Sequence, residues 1–255
     1  MDLRHKLCLI LPTLNERENI LPQINEVFKF LPEIGQIFIV DDNSTDGTTE
    51  IVEQTHKDLI KNGKIRILKR TKDLGLTSSL REAIALCPFE YIGWMDCDLS
   101  MPTNIINDLL SKLEKGYDIC VASRFLSGGN QKKWWVSSQD SKIEIFLSTM
   151  LNRFLVKILK LPITDFTSGF VISKKEILNK IEWRGKHGEY FLDFIYQANI
   201  LGAKITEVPY SCGTRKFGKS KTSGNFRSLV INSFRYFKSV ISVILRNRKQ
   251  RLQLA

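Results

Sequence analysis

From Lys6 to about residue 123 the chain repeats one pattern: a short apolar run, a polar or acidic turn, then a longer segment with helical periodicity. Residues 6–11 are closed by Pro12-Thr13-Leu14-Asn15-Glu16, and residues 36–40 by Asp41-Asp42-Asn43-Ser44-Thr45-Asp46-Gly47-Thr48. Residues 64–68 form a third run, and residues 91–95 a fourth that ends abruptly in Asp96-Cys97-Asp98. Aromatic and β-branched side chains crowd these runs, as strands require. A capping box of Asn15 and Glu18 predicts a helix to about Phe30. The Asp46-Gly47-Thr48 turn predicts a second helix to about Leu59, and residues 76–86 a third. Strands joined by helical crossovers lie parallel, so their polar C-terminal loops collect on one edge of a sheet. That edge is where open α/β sheets bind ligands.

The acids at this edge suggest a chemistry. Two carboxylates one residue apart, Asp96 and Asp98, suit a hard divalent cation, Mg²⁺ or Mn²⁺, held against a diphosphate. Taken alone, such a pair is as readily a strand-end turn or a helix cap ahead of Pro102. No Gly-x-Gly-x-x-Gly follows the first strand, and no Gly-x-x-x-x-Gly-Lys-Ser/Thr occurs anywhere. With neither phosphate cradle present, charge neutralisation falls to a metal.

The chain has 255 residues, 43% of them hydrophobic, enough for one large α/β domain. We expect that domain over residues 1–224, with a basic amphipathic helix and tail over residues 225–255. The net charge of +11 points to nucleic acid, anionic lipid or phosphorylated small molecules. A nucleic-acid binder leaves acids at successive strand ends unexplained, so nucleic acid is not expected as a partner. The five cysteines form no Cys-x-x-Cys pair and fit reduced, buried thiols in the cytoplasm. The N-terminus leads straight into a strand, so no signal peptide is expected. No run of ~18 uncharged apolar residues suggests a membrane span.

The motifs Pro12-Thr13-Leu14-Asn15-Glu16, Val40 to Thr48, and Asp96-Cys97-Asp98, in this order and spacing, resemble the family-2 nucleotide-sugar glycosyltransferases. That resemblance implies the GT-A fold, a mostly parallel central sheet flanked by helices. Further on, Ser123-Arg124-Phe125 with Gly128-Gly129, Asp165-Phe166-Thr167-Ser168-Gly169-Phe170, Glu207-Val208-Pro209-Tyr210 and Arg215 to Lys221 look like the polyprenyl-phosphate sugar synthases, dolichol-phosphate mannose synthases among them. The implied reaction moves a sugar, best matched by mannose from GDP-mannose, from a nucleotide diphosphate to a polyprenyl or dolichyl phosphate. A UDP-sugar donor, or a hydroxyl acceptor on a glycan or lipid, is the alternative.

Carried over by motif, the resemblance places the nucleotide against Pro12, Leu14, Glu16, Val40 and Asp42, with Asp41 mostly structural. The diphosphate and its metal fall to Asp96, Cys97 and Asp98, with Asp96 and Asp98 as metal ligands. Arg124, Arg215 and Lys221 would meet phosphate oxygens, Arg by a fork of donors and Lys as a point charge. Asp98, Arg124, Arg215 and Lys221 are thus the implied catalytic groups. Gly213, Gly218 and Gly224 let the loop bearing Arg215 and Lys221 close over both phosphates. Leu14 stands where the mannose synthases carry an aromatic residue, and Ser100 where they carry a glutamine. An acceptor hydroxyl would need a carboxylate base, for which Asp165, Glu189 and Asp193 are the candidates; a structural or sugar-contacting role is the favoured reading for them.

After Gly224, Phe226, Val230, Phe234, Phe237, Ile241 and Ile244 recur at helical spacing among arginines and lysines. Such a helix suits either a membrane interface or the surface of its own domain. Lys132-Lys133-Trp134-Trp135 adds a basic-aromatic patch, and Lys132, Lys133 and Lys142 are candidates for an acceptor-phosphate loop. The expectation is a protein peripheral on the cytoplasmic face of a membrane, with a membrane-anchoring partner subunit as a further expected partner.

Overall fold

The computed structural model describes residues 2–129, 142–185, 188, 190–218, 240–242 and 245. The strands are β1 (Leu7–Thr13), β2 (Gln36–Asp41), β3 (Ile65–Lys69), β4 (Tyr91–Trp94), β5 (Ile119–Ser123), β6 (Val171–Lys174) and β7 (Ile205–Pro209). Between them run α1 (Arg17–Phe30), α2 (Thr48–Thr55), α3 (Lys57–Lys61), α4 (Leu76–Leu86), α5 (Ile105–Glu114), α6 (Lys142–Leu159), α7 (Lys175–Leu178) and α8 (Tyr190–Ile200). The strands form one sheet in the order β3-β2-β1-β4-β6-β5-β7. Every pairing is parallel except those of β6, which runs antiparallel to both β4 and β5.

Side-chain alternation divides the core into two layers. Along β1, Cys8 and Ile10 face a layer that includes Leu80, Ala83 and Ile84 of α4, Leu155 and Leu159 of α6, and Phe191 and Phe194 of α8. Leu7, Leu9 and Leu11 face the other, with Ile20, Ile24 and Val27 of α1 and Leu109 and Leu113 of α5. Burial on both faces is why β1 and β2 read as continuous apolar runs. Each buried aliphatic side chain contributes roughly 1.5–3 kcal/mol, and a one-residue slip of β1 would exchange the two sets.

Three local expectations are corrected. Asn15 and Glu18 make no capping box. Asn15 sits at φ 52° and Glu16 is the N-cap without a side-chain cap bond, while the first amide of α1, Arg17 N, donates to Asp46 Oδ2 at 3.0 Å. The helix expected to reach Leu59 breaks at His56 (φ −117°), giving α2 and α3. The fourth strand ends at Trp94, because Met95 already turns into the acidic loop. The boundary expected near residue 224 and the tail beyond it lie almost wholly outside the described residues. Among the described residues no helix is long and apolar enough to cross a membrane.

Candidate active site

The loops after β1, β2, β3 and β4 meet at the sheet's C-terminal edge. Each carries one non-glycine residue at positive φ: Asn15 (52°), Asn43 (63°), Asp73 (49°) and Leu99 (64°). Asn and Asp tolerate that region because their short polar side chains bond locally. Leu99 has no such excuse, and it lies directly beside Asp98, where backbone strain is held in place by the surrounding structure. Gly47, at φ 84°, is the N-cap of α2, and a Cβ there would collide with the guanidinium of Arg17.

The first two loops are knitted together. Asn15 N donates to Ser44 Oγ (2.7 Å), Thr45 N to Asn15 Oδ1 (2.8 Å) and Glu16 N to Thr48 Oγ1 (2.9 Å). Asp41 accepts from Thr13 Oγ1 (2.9 Å) and Ser44 N (2.8 Å), matching the structural part expected of it. Pro12 and Val40 sit in register on adjacent strands, and Leu14 is exposed at the rim.

Asp42 is bound into the protein through both oxygens. Oδ1 accepts from Arg70 and from Ser79 Oγ (2.7 Å), and Oδ2 from Gly75 N (2.6 Å). Arg70 is buried at the end of β3, and it also donates to Glu82 Oε2 (2.8 Å) and Asp73 O (2.7 Å). One buried guanidinium thus shapes the wall on which Asp42 stands. Sequence reasoning passed over Arg70; a cation at a strand end otherwise lined by acids was the available signal.

The acidic pair after β4 lies opposite. Asp98 is buried and accepts from Ser100 N (3.0 Å) and Ser100 Oγ (2.6 Å). Asp96 is exposed, and desolvation where its carboxyl meets the protein, then the charge of Asp98, push that carboxyl above its ordinary value, against the pull of Arg215. Cys97 is buried in the core layer that also holds Met95 and Met101.

The segment after β7 covers this corner. Gly213 N donates to Ser100 O (2.8 Å) and Lys216 N to Asp98 O (3.3 Å), while Asn19 Nδ2 donates to Phe217 O (3.2 Å). Arg215 reaches in and spans two acids, with Nη1 3.1 Å from Glu16 Oε1 and Nη2 3.1 Å from Asp98 Oδ2. Glu16 is further held by Asn19 Nδ2 at 2.7 Å. The structure therefore joins Glu16, Asp98 and Arg215, residues far apart in sequence, with Asp96 beside them. Lys221, Lys132, Lys133 and Glu189 lie outside the described residues.

Arg124 belongs to a neighbouring cluster at the end of β5. Its Nε and Nη2 fork onto Asp165 at 2.8 and 2.9 Å, and Nη2 also donates to Thr167 Oγ1 at 2.8 Å. Asp165 is fully buried and accepts from Thr167 N (3.1 Å) as well. Asp193 lies elsewhere, on the first turn of α8, 3.6 Å from Arg184.

The residues present fit a divalent metal. Asp96 and Asp98 are neighbouring carboxylates whose mutual repulsion a dication would relieve. Among the described residues no group of three or more His, Cys, Asp or Glu gathers into a cage. A site of that kind suits a metal whose coordination is completed by a ligand's phosphates and by water.

The chain is 28% identical over 221 residues to the dolichol-phosphate mannosyltransferase of Pyrococcus furiosus, a match covering 86% of this chain and 60% of the relative. It is also 28% identical over 229 residues to the polyprenol monophosphomannose synthase of Mycolicibacterium smegmatis, covering 85% of this chain and 81% of that protein. The chain thus spans about three fifths of the Pyrococcus relative. Among solved structures, glucosyl-3-phosphoglycerate synthase from Mycobacterium tuberculosis, in complex with Mn²⁺, UDP and glucosyl-3-phosphoglycerate, matches with a TM-score of 0.68 at 14% identity, covering 93% of this chain and 79% of that one. This likeness shows the GT-A type of fold. The model of glycosyl transferase family 2 matches residues 8–182, more than half of the chain, and the chain belongs to that family.

Proposed function

We propose that this protein is a sugar-transferring enzyme that takes a hexosyl group, mannose from GDP-mannose by preference, from a nucleotide diphosphate to a polyprenyl or dolichyl phosphate. The observation that carries the reading is the convergence of Glu16, Asp98 and Arg215, with Asp96 beside them, at one sheet edge. The relatives named as mannose synthases of dolichol and polyprenol phosphates support the substrate class.

In the proposed reaction a phosphate oxygen of the acceptor attacks the anomeric carbon as the bond to the nucleoside diphosphate breaks, inverting the anomeric configuration. A phosphate monoester is already ionised at neutral pH, so no side chain has to take a proton. Mg²⁺ or Mn²⁺ held by Asp96 and Asp98 would supply charge compensation to the departing diphosphate. Glu16 orients the nucleotide, Arg215 passes from its carboxylate partners to phosphate oxygens, and Lys221 assists. Arg124, whose fork is engaged by Asp165 and Thr167, would act on the acceptor side through its positive charge held at the end of β5.

The engagement of Asp165 by Arg124 and Thr167 weighs against its serving as the base for a hydroxyl acceptor. The deciding experiment incubates the protein with GDP- and UDP-sugars, Mg²⁺ or Mn²⁺, and polyprenyl phosphate, and scores lipid-extractable sugar. A product from GDP-mannose supports the proposal. Transfer only to hydroxyl acceptors, or no metal requirement in excess chelator, overturns it.

A further inference from the structure

The buried side of α1 carries two amides one turn apart, Asn19 and Gln23. Gln23 Nε2 donates to Thr103 Oγ1 at 3.2 Å, on the loop beyond the acidic pair. Asn19 Nδ2 serves two acceptors, Glu16 Oε2 at 2.7 Å and the carbonyl of Phe217 at 3.2 Å. A primary amide has two N–H groups, so it can make both bonds at once. The partners are a carboxylate and a backbone carbonyl, which accept only, and this sets the amide with its nitrogen toward them. Asn19 Oδ1 has no hydrogen-bond partner among the described residues, so the two donated bonds are what orients the side chain.

The stretch from Gly213 to Phe217 is held by its main chain. Gly213 N is bonded to Ser100 O, Lys216 N to Asp98 O, and Phe217 O to Asn19, so main-chain bonds flank Arg215 on both sides. The guanidinium itself is paired with two side chains, Glu16 and Asp98. It can leave them by rotating about its own side-chain bonds while the main chain stays in place. Asn19 is bonded to both parts that such an exchange has to keep together: the acid that Arg215 leaves, and the main chain from which it turns.

We infer that Asn19 is a positioning residue for the transfer, holding Glu16 and the main chain at Arg215 at a fixed separation, so that the arginine changes partners without displacing either. This rests on the proposed function, in which Glu16 orients the nucleotide and Arg215 passes to phosphate oxygens. Removing the Asn19 amide acts twice. The Phe217 carbonyl loses its tether, and Glu16 loses the N–H on the oxygen that lies farther from Arg215. Gln23 supplies the contrast, because it is equally buried on the same helix and its donor goes to Thr103.

The test is trypsin cleavage of the full chain after Arg215 and Lys216, scored by mass spectrometry, beside calorimetric titration with GDP-mannose and a UDP-sugar in Mn²⁺. Cleavage at these bonds requires the main chain to come free, so its rate follows the population of the open form. Asn19→Leu keeps the volume and removes both N–H groups. It should be cut at the two bonds at least about 5-fold faster than wild type, and should bind the donor weaker by about the same factor. Gln23→Leu should be cut there within about twofold of the wild-type rate. Asn19→Ala removes the same donors with less buried bulk, and reads the same two effects should Asn19→Leu fail to fold. Equal cleavage of wild type and the Asn19 variants overturns the inference, as does equal acceleration by Gln23→Leu, which marks a general loosening of α1. Wild-type donor affinity in a variant that is cut faster overturns it too, because the tether is then structural only. If cleavage and donor binding behave as expected while no prenyl phosphate accepts sugar, the role of Asn19 stands and the proposed acceptor falls.

Discussion

Arg215 stands equally far, 3.1 Å, from Glu16 Oε1 and from Asp98 Oδ2, so a single guanidinium compensates two buried carboxylates contributed by the loops after β1 and β4. A cation in that position would compete with a metal for Asp98 under the proposed function. Arg215→Met should therefore bind Mn²⁺ more tightly in the absence of donor, yet lose about 10²–10³-fold in turnover, since a phosphate-binding fork is gone. Equilibrium titration of Mn²⁺, followed by its resonance signal, measures the first effect, and initial rates at saturating donor the second. Weaker Mn²⁺ binding would show that Arg215 organises Asp98 for the metal and does not compete with it.

Asp98 itself is less easily changed than its place after a strand suggests. The side chain is buried and paired with Arg215, so removing its charge leaves a guanidinium half compensated. Asp98→Asn keeps the volume and the Ser100 contacts in part, and should abolish metal-dependent transfer at a stability cost of about 1–3 kcal/mol. Asp98→Ala should melt earlier still. Thermal melting beside turnover across Mn²⁺ concentrations separates the two effects, and wild-type turnover in Asp98→Asn removes the metal assignment.

Arg70 should behave as a positioning residue. Arg70→Met leaves Asp42 a buried, uncompensated charge, with an expected loss of about 3–5 kcal/mol. Adding Asp42→Asn should recover part of that loss, because the pair is coupled and its single effects are not additive. The donor KM should rise in Arg70→Met while the rate at saturating donor changes little. Urea denaturation of the four proteins of the cycle, with donor titrations, checks both statements.

Asp193 predicts a pH dependence. Burial pushes its carboxyl up to about 6 from an ordinary value of 3.8, against Arg184 and Gln197. The folded chain holds this proton after the unfolded chain has lost it. This group's contribution to stability therefore falls as pH rises from about 4 to about 6, at up to ~1.4 kcal/mol per pH unit. Asp193→Asn should flatten that part of the profile. Parallel urea midpoints across the window test it, and identical slopes in the two proteins would contradict the burial argument.

The half of the fold from β1 to β4 was legible because its strands end in residue types that apolar periodicity cannot explain. The run from Tyr91 to Trp94 and the helix Leu76–Leu86 were readable from local pattern alone. The break at His56 was not, since nothing in the alternation of residues 48–61 disfavours one continuous helix. The capping box failed for a tertiary reason: Asp46, on a different loop, reaches the amide of Arg17 and leaves Asn15 to bond Thr45. Partners separated by so much chain, such as Arg215 with Glu16 and Arg70 with Asp42, carry no periodic signal. That Met150, Phe154 and Ile158 of α6 are exposed was not legible either, because an apolar spacing of four reads the same whether it faces a core or water.

The reversed direction of β6 has a consequence for how such a chain can diversify. Val121 pairs with Val171, and Ala122 N donates to Phe170 O at 2.9 Å, so the excursion from β5 to β6 leaves and returns at one point of the sheet. Closing a longer excursion there costs little, about 0.6 kcal/mol for each doubling of its length. A chain of this kind is therefore free to lengthen, shorten or replace that excursion while the ends of β1 to β4 stay where they are. The loop cluster after β1 to β4 and the excursion between β5 and β6 can then change independently, joined at a single seam.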